Sequence, residues 1–377
     1  MIINRFIQKN IEHWLFKGKV IILHGARQVG KTTLVKELNK KYGNDRSYIN
    51  CEDIITQKAL EIEDPIKLRL FLGEGNFFIL DEAQKIKNIG IILKLLIDTY
   101  PELQIIATGS SSFDLANKVN EPLTGRSMEF LLYPISYGEM VEQLSFSKSR
   151  GQVDTMLIYG SYPEIIKNEW KEADSFLKNI SSNYLYKDVL EFESLRKPKL
   201  LINLLQLLAF QVGNEVSINE LSVKLECSKA TVDRYIDLLE KAYVIFRLTP
   251  LSRNPRNEIG KKNKIYFYDL GIRNSLINNF NPISARNDIG ALWENFCIVE
   301  RKKALEYGVQ FRNLYFWRSL SGKEVDYIEE YSGKIFGYEF KWKDNKIKAP
   351  KQFLETYQDS SFEIITNDNA DNFLLGK

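Results

Sequence analysis

Cysteine and histidine are scarce in this chain. Its 377 residues hold three cysteines, Cys51, Cys227 and Cys297, and two histidines, His13 and His24. They are too scattered to form a zinc-ligand spacing or to suggest a disulfide framework. A reducing compartment, the cytoplasm, is therefore expected. Long apolar runs are missing too. The longest apolar stretch, 200–212, is broken by Asn203, Gln206 and Gln211 and is too short to span a bilayer, so no membrane is expected as a partner. Gln8, Lys9 and Asn10 interrupt the start of the chain, where a secretory signal would need an unbroken apolar segment. Nor is there an excess of either charge. Lys plus Arg number 52 and Asp plus Glu 49, a net charge of +3, which argues neither for nor against nucleic acid because that depends on local patches. Internal repeats and low-complexity segments are absent. What remains is 44% hydrophobic and 27% charged, the composition of a soluble globular protein long enough for two or three domains.

The most informative stretch is Gly25-Ala26-Arg27-Gln28-Val29-Gly30-Lys31-Thr32, followed by Thr33. It fits G-x-x-x-x-G-K-[ST], the phosphate-binding loop of P-loop NTPases. Val20-Ile21-Ile22-Leu23 reads as a buried parallel strand before it, and 33–39 as the start of a helix after it. A strand, a glycine loop and a helix in that order aim backbone N–H groups and the positive end of a helix dipole at one point, where a triphosphate fits. Lys31 would meet the β- and γ-phosphates, and the Thr32 hydroxyl would reach Mg²⁺. A chance match is the alternative, and the flanking strand and helix argue against it.

Phe77-Phe78-Ile79-Leu80-Asp81-Glu82 supplies a second acidic element, because parallel sheets place ligands at the C-terminal ends of their strands. Asp81 would share Mg²⁺ with Thr32, and Glu82 would polarise the attacking water. One strand later come Thr108-Gly109-Ser110-Ser111-Ser112, whose hydroxyls either orient water beside the γ-phosphate, with Ser110 foremost, or only form a turn. In Leu123-Thr124-Gly125-Arg126, the arginine is either a finger toward transition-state charge, acting in its own or a neighbouring subunit, or a solvated loop residue. Strands are expected at 19–24, 46–50, 77–81, 104–108 and 127–132, with helical patterns between most of them. That alternation implies a parallel sheet flanked by helices over residues 1–150. Ile91–Ile97 is the clearest apolar helix face, and Asp64-Pro65 suits a helix start.

Residues 151–212 read as a mostly helical lid on the ATPase core. A helix–turn–helix pattern follows over 213–255. Ser217-Ile218-Asn219-Glu220 has the form of a capping box, Ser228 suits the next cap, and 243–248 reads as a strand. Arg253, Arg256, Lys261, Lys262 and Lys264 come next, a basic group suited to phosphates. Either the module is a winged helix on DNA, or it packs on protein. Asp233, Asp237 and Glu240 among Lys229, Arg234 and Lys241 weaken the DNA reading.

Within 256–377, strands are expected at 265–269, 314–317, 324–329, 336–342 and 363–366, and a long helix from 292 to about 307. Asp326 falls mid-strand, Glu339 and Lys341 share one face of the next strand, and Glu294 lies on the helix. This pattern serves metal-assisted phosphodiester cleavage. Simple alternation explains it equally well, with Phe340 and Trp342 in the core and Glu339 paired with Lys341 outside.

Together with Leu80-Asp81-Glu82-Ala83-Gln84, Tyr133-Pro134, Gly160-Ser161-Tyr162-Pro163, Trp293-Glu294-Asn295, Glu324-Val325-Asp326 and Glu339-Phe340-Lys341, these motifs cover nearly the whole chain. The sequence resembles the bacterial and archaeal AAA+ superfamily ATPases that join an ATPase domain to a C-terminal DUF4143 domain. The resemblance implies an α/β fold: a P-loop NTPase parallel sheet with a helical lid, a winged-helix module and a C-terminal α/β domain similar to PD-(D/E)XK nucleases. It implies ATP and Mg²⁺ as ligands and ATP hydrolysis. Lys31 and Thr32 would sit on phosphates and metal, Asp81 on metal, Glu82 would be the catalytic carboxylate and Arg126 a finger, with oligomerisation a possibility to be tested. Glu294, Asp326, Glu339 and Lys341 fall on the nuclease-like positions, although Val325 stands where that pattern has proline. Fold similarity does not carry activity. A slow nucleotide-locked switch stays open as an alternative to a turning-over ATPase, since no obvious sensor arginine stands out beyond Arg196 and Arg234.

Overall fold

A computed structural model describes residues 3–110, 122–168, 170, 172–181, 198–251, 262–319, 321–343 and 350–377. Ser111, Ser112, Arg196, Arg253, Arg256 and Lys261, all named above, lie outside the described residues. The chain divides into two compact units, essentially residues 2–134 and 135–377.

The first unit is built on five parallel strands: β1 (Val20–His24), β2 (Tyr48–Asn50), β3 (Phe77–Asp81), β4 (Gln104–Gly109) and β5 (Ser127–Leu131), ordered β2-β3-β4-β1-β5. The expected strands differ from these only at their ends. Every residue of β1, β3 and β4 is buried. Central strands covered on both faces need unbroken apolar runs, which is why these segments do not alternate. Helix Ile89–Thr99 buries Ile89, Ile92, Leu93, Leu96 and Ile97, one face at 3.6-residue spacing. That face packs with Leu68, Leu72, Phe78 and Leu80, each side chain contributing roughly 1.5–3 kcal/mol of transfer free energy. Asp64 caps helix Pro65–Leu72, its carboxylate accepting from the N–H groups of Ile66 and Lys67.

The second unit carries a seven-stranded mixed sheet. Its strands are β6 (Glu215–Val216), β7 (Ile245–Pro250), β8 (Asn263–Phe267), β9 (Asn313–Arg318), β10 (Glu324–Tyr331), β11 (Lys334–Lys341) and β12 (Ser360–Thr366). Their order is β12-β11-β10-β9-β7-β8-β6. Helix Pro198–Phe210, β6, helices Ile218–Lys224 and Lys229–Lys241, β7 and β8 follow one another, and β6 and β7 both pair antiparallel with β8. This is the element order of a winged helix. Ser217 and Ser228 cap its two inner helices by accepting from the N–H groups of Glu220 and Thr231.

The sheet runs across the boundary expected at 255/256. Thr249 and Pro250 of β7 pair in parallel with Tyr315 and Phe316 of β9, so the winged-helix strands and the C-terminal strands form one surface. The segment read as a lid also contributes to this unit. Asn274 donates to the carbonyls of Leu157 and Ile158 at 2.9 and 2.8 Å, and the Ser161 N–H donates to Asp269 at 2.7 Å. A Cβ on Gly160, which sits at φ +70°, would lie 2.1 Å from an Asp269 carboxylate oxygen. Only glycine allows that approach.

Candidate nucleotide site and C-terminal carboxylate cluster

Strand register assembles the first site. Asn50 is level with Asp81, Leu80 with Ala107, Leu23 with Thr108 and His24 with Gly109. The C-terminal ends of β2, β3, β4 and β1 therefore share one edge, and the glycine loop leaves β1 at that edge. Gly30 (φ 100°) turns the chain into helix Lys31–Tyr42. Gly25 (φ 151°) admits no side chain, because a Cβ there would lie 2.4 Å from the Leu132 carbonyl oxygen. Val29 is fully buried and anchors the loop, Gln28 is exposed in left-handed backbone, and Thr33 points to solvent beyond it. Arg5 braces the loop from outside, donating to the Val29 carbonyl at 2.8 Å and the Tyr133 carbonyl at 2.6 Å.

Lys31 is 5% exposed. Its ammonium donates to the carbonyls of Gly25 at 2.7 Å and Ala26 at 2.9 Å, so the loop curls around its own positive charge. Asp81 gathers three hydroxyls. Thr32 donates to Oδ2 at 2.9 Å, Tyr48 to the same oxygen at 2.5 Å, and Thr108 to Oδ1 at 2.5 Å. Burial, reinforced by the bond to Asp81, raises the Tyr48 phenol above its usual range, so it stays a neutral donor. Burial also pushes the Cys51 thiol up to about 12, with Asp81 and Glu82 adding to the effect, so it stays protonated and inert. The donors around Asp81 are oxygens on a single carboxylate and its hydroxyls, the hard set Mg²⁺ takes, and the lysine-filled glycine loop suits phosphate. The residues present fit both groups.

Glu82 sits beside Asp81 in left-handed backbone (φ 57°), an uncommon place for this residue type. Its N–H is held by the Thr108 hydroxyl at 3.0 Å. Gln84 donates from its side-chain amide to the Glu82 carboxylate and, at 3.4 Å, to the Ser110 hydroxyl. Lys31, Thr32, Asp81, Glu82 and Ser110 therefore meet at one edge.

Arg126 does not join them. Ser127 pairs with Val20, so Arg126 lies at the N-terminal end of β5, across the sheet from the glycine loop. Five residues of strand put about 16 Å between the two edges. The Arg126 side chain pairs with Asp98 at 2.7 Å, and both groups are 43% exposed. A finger role within its own unit is excluded by the direction of the strand that carries it.

The expected C-terminal constellation also comes together, but around a residue that the sequence reading had placed elsewhere. Lys264, grouped above with the phosphate-binding basic residues, is 1% exposed. Its ammonium lies 3.1 Å from Glu294 Oε1 and 3.7 Å from Asp326 Oδ1, and it pairs closely with Glu324. Tyr266 donates to Glu294 at 2.6 Å. The β9–β10 register shifts between Val325 and Ile328, a bulge that turns Asp326 onto the Phe340 N–H at 3.0 Å. Glu339 and Lys341 pair at 2.9 Å, and Phe340 is core.

Burial works against the Lys264 ammonium, but Glu294, Asp326 and Glu324 outweigh it and raise its pKa. Burial and the Asp326 charge raise Glu294 to about 7 despite that lysine. The two shifts share one cause: three carboxylates crowd one ammonium, which favours the cation and disfavours ionisation of Glu294. Glu339 is raised for the same reasons, burial first and Asp326 second. Among the described residues, no group of three or more His, Cys, Asp and Glu side chains is disposed to hold a metal ion. A metal on Glu294, Asp326 and Glu339, one of the two readings of that pattern, therefore does not fit as the residues stand.

Some of these residues gave no signal in the sequence. Arg5 lies 24 positions before its loop partner. Tyr48 could have been suspected from a hydroxylated aromatic at the end of a strand next to the acidic one.

The five-stranded sheet and its loop define the first unit as a P-loop NTPase-like domain. Comparison with protein families agrees. Residues 17–141 match the AAA domain family, 150–282 a domain of unknown function, DUF8612, and 289–376 the domain of unknown function DUF4143. The chain thus carries an AAA domain on its N-terminal side and a DUF4143 domain on its C-terminal side, the pairing its motifs resemble. Similar proteins include an uncharacterized protein of Methanocaldococcus jannaschii, 25% identical over 98% of this chain and 89% of that protein. An uncharacterized protein of Mycobacterium tuberculosis is 27% identical over 87% of this chain and 71% of its own length. One of Haemophilus influenzae is 22% identical over 83% and 80%. No helix among the described residues is long and apolar enough to cross a membrane.

Proposed function

We propose that the N-terminal unit binds ATP with Mg²⁺ in the cytoplasm and hydrolyses it to ADP and phosphate, driving domain motion. The observation that carries this reading is the 2.9 Å contact between the Thr32 hydroxyl and Asp81, made where the lysine-filled loop meets the same strand edge. The glycine loop and Lys31 would hold the phosphates, and Thr32 and Asp81 would hold Mg²⁺, which supplies Lewis-acid polarisation of phosphoryl oxygens. Glu82 would accept a proton from water, with Ser110 helping to orient it. Arg126 would serve only a neighbouring chain in an oligomer. Purified full-length protein should release phosphate from ATP in the presence of Mg²⁺, and Lys31→Ala should cut that release by about 10²–10³-fold. Normal turnover by the variant would defeat the assignment.

A nucleotide-locked switch with little turnover is favoured by one specific contact. Gln84 holds the Glu82 carboxylate, the group that would have to face water. Tight ATP binding with negligible steady-state phosphate release, relieved by Gln84→Ala, would select the switch. DNA is the alternative to protein packing for the winged-helix elements. There Arg247 of β7 draws in Asp237, Glu240 and Asp233 at 2.6, 2.8 and 3.2 Å, so three acids of helix Lys229–Lys241 share one cation. That residual negative charge favours a protein-packing role. Duplex DNA binding that weakens steeply with salt would reverse the preference.

A further inference from the structure

The resemblance of the C-terminal domain to PD-(D/E)XK nucleases implies a divalent cation among Glu294, Asp326 and Glu339, and the residues disagree with it. We infer that the Lys264 ammonium is the resident cation of this cluster, so that the domain is closed to metal and does not cleave phosphodiesters. Three features support the inference. The first is position. Lys264 comes from β8, a winged-helix strand, while Glu324 and Asp326 lie on β10 and Glu294 on helix Ile289–Tyr307, so one ammonium ties three separate elements together. The second is burial. A side chain 1% exposed, with its ammonium 5.6 Å from the centre of the Phe316 ring, has no solvent into which to withdraw when a metal arrives. The third is charge. A divalent ion set among these carboxylates would stand within a few ångströms of a buried ammonium, in surroundings where repulsion between like charges is poorly screened.

The surrounding groups reinforce this role. Tyr266 donates to the same Glu294 oxygen that Lys264 touches, and Glu294 Oε2 lies against Gly213, where a Cβ would come within 3.3 Å. The remaining carboxylate, Glu339, is matched with Lys341. The constellation is thus satisfied internally, and it fastens the winged-helix hairpin to the C-terminal strands. The inference is independent of the nucleotide reading, since none of its residues belongs to the glycine-loop unit.

Terbium luminescence sensitised by Trp293, next to Glu294, tests it in full-length protein without nucleotide. The wild-type protein should show no terbium signal that Asp326→Asn removes, and no Mn²⁺-dependent cutting of single- or double-stranded DNA. Lys264→Ala should gain a terbium site, and Lys264→Ala/Asp326→Asn should lose it again. An Asp326-dependent ion or DNA cutting in the wild-type protein would overturn the inference. So would a folded Lys264→Ala protein that gains no site. If Lys264→Ala does not fold, Lys264→Met keeps the apolar stem, and the wild-type comparison with Asp326→Asn decides by itself.

Discussion

Two carboxylate centres in this molecule reach opposite solutions to the same problem. Asp81 is surrounded by neutral donors, the hydroxyls of Thr32, Tyr48 and Thr108. They stabilise its negative charge without cancelling it, so the charge remains available to a cation that comes and goes. Glu294, Glu324 and Asp326 surround Lys264, whose charge is part of the chain and cannot leave. The first arrangement suits a ligand-binding site, and the second suits a permanent joint between structural elements. Acidic residues look alike in sequence, and the difference lies in which partner, hydroxyl or ammonium, the fold delivers to them.

The largest effects should come from the nucleotide side. Lys31→Ala should lower ATP turnover by about 10²–10³-fold, the scale for losing one preorganised charge-stabilising donor, and isothermal titration should show weakened binding. Glu82→Gln should cut turnover by roughly 10²–10⁴-fold with ATP still bound, which single-turnover assays would separate from a binding defect. If Glu82→Gln instead lost binding, Glu82 would be grouped with Asp81 rather than with the water.

The next effect sharpens the other half of the comparison. Glu294 is raised to about 7 from an ordinary 4.5, chiefly by burial and then by Asp326. A carboxyl whose folded pKa lies above its unfolded value holds a proton preferentially in the native state. Its stabilising contribution is complete below about 4.5 and is lost as pH climbs through 7, on the order of 3 kcal/mol over that window. Denaturation midpoints of Glu294→Gln should therefore fall less between pH 5 and pH 8 than those of the wild-type protein. Identical pH slopes would mean the carboxyl is solvated and the cluster open.

Tyr48→Phe should weaken nucleotide binding in Mg²⁺ by only a few-fold, corresponding to one hydrogen bond worth about 1 kcal/mol. Arg126→Ala should change stability by less than about 1 kcal/mol, as expected for an exposed ion pair, and should leave ATP affinity of the isolated chain unaltered, read by titration.

The nucleotide site was more legible in the sequence than the C-terminal cluster, for a physical reason. Phosphate binding is done by a contiguous loop whose glycines, lysine and threonine must be neighbours, and strand order then brings Asp81 to it. Buried strands such as Phe77–Asp81 also announce themselves as unbroken apolar runs. The edge that Arg126 occupies follows from the expected parallel sheet and the strand at 127–132, because a residue just before a parallel strand lies at the end opposite the glycine loop. The finger reading rested on the loop motif and not on that direction. Lys264 was hidden. Basic residues crowd the stretch before it, and only the pairing of β8 between β7 and β6 turns this one inward. The bulge that aims Asp326 at Phe340 leaves no mark in the alternation either.

The contrast between the two centres is tested most directly by counting bound Mn²⁺ per chain, by electron paramagnetic resonance, with and without saturating ATP. The account predicts a single bound ion that requires nucleotide and disappears in Lys31→Ala. An ion that stays bound without nucleotide and is lost in Asp326→Asn, or no bound ion when ATP is present, would contradict it.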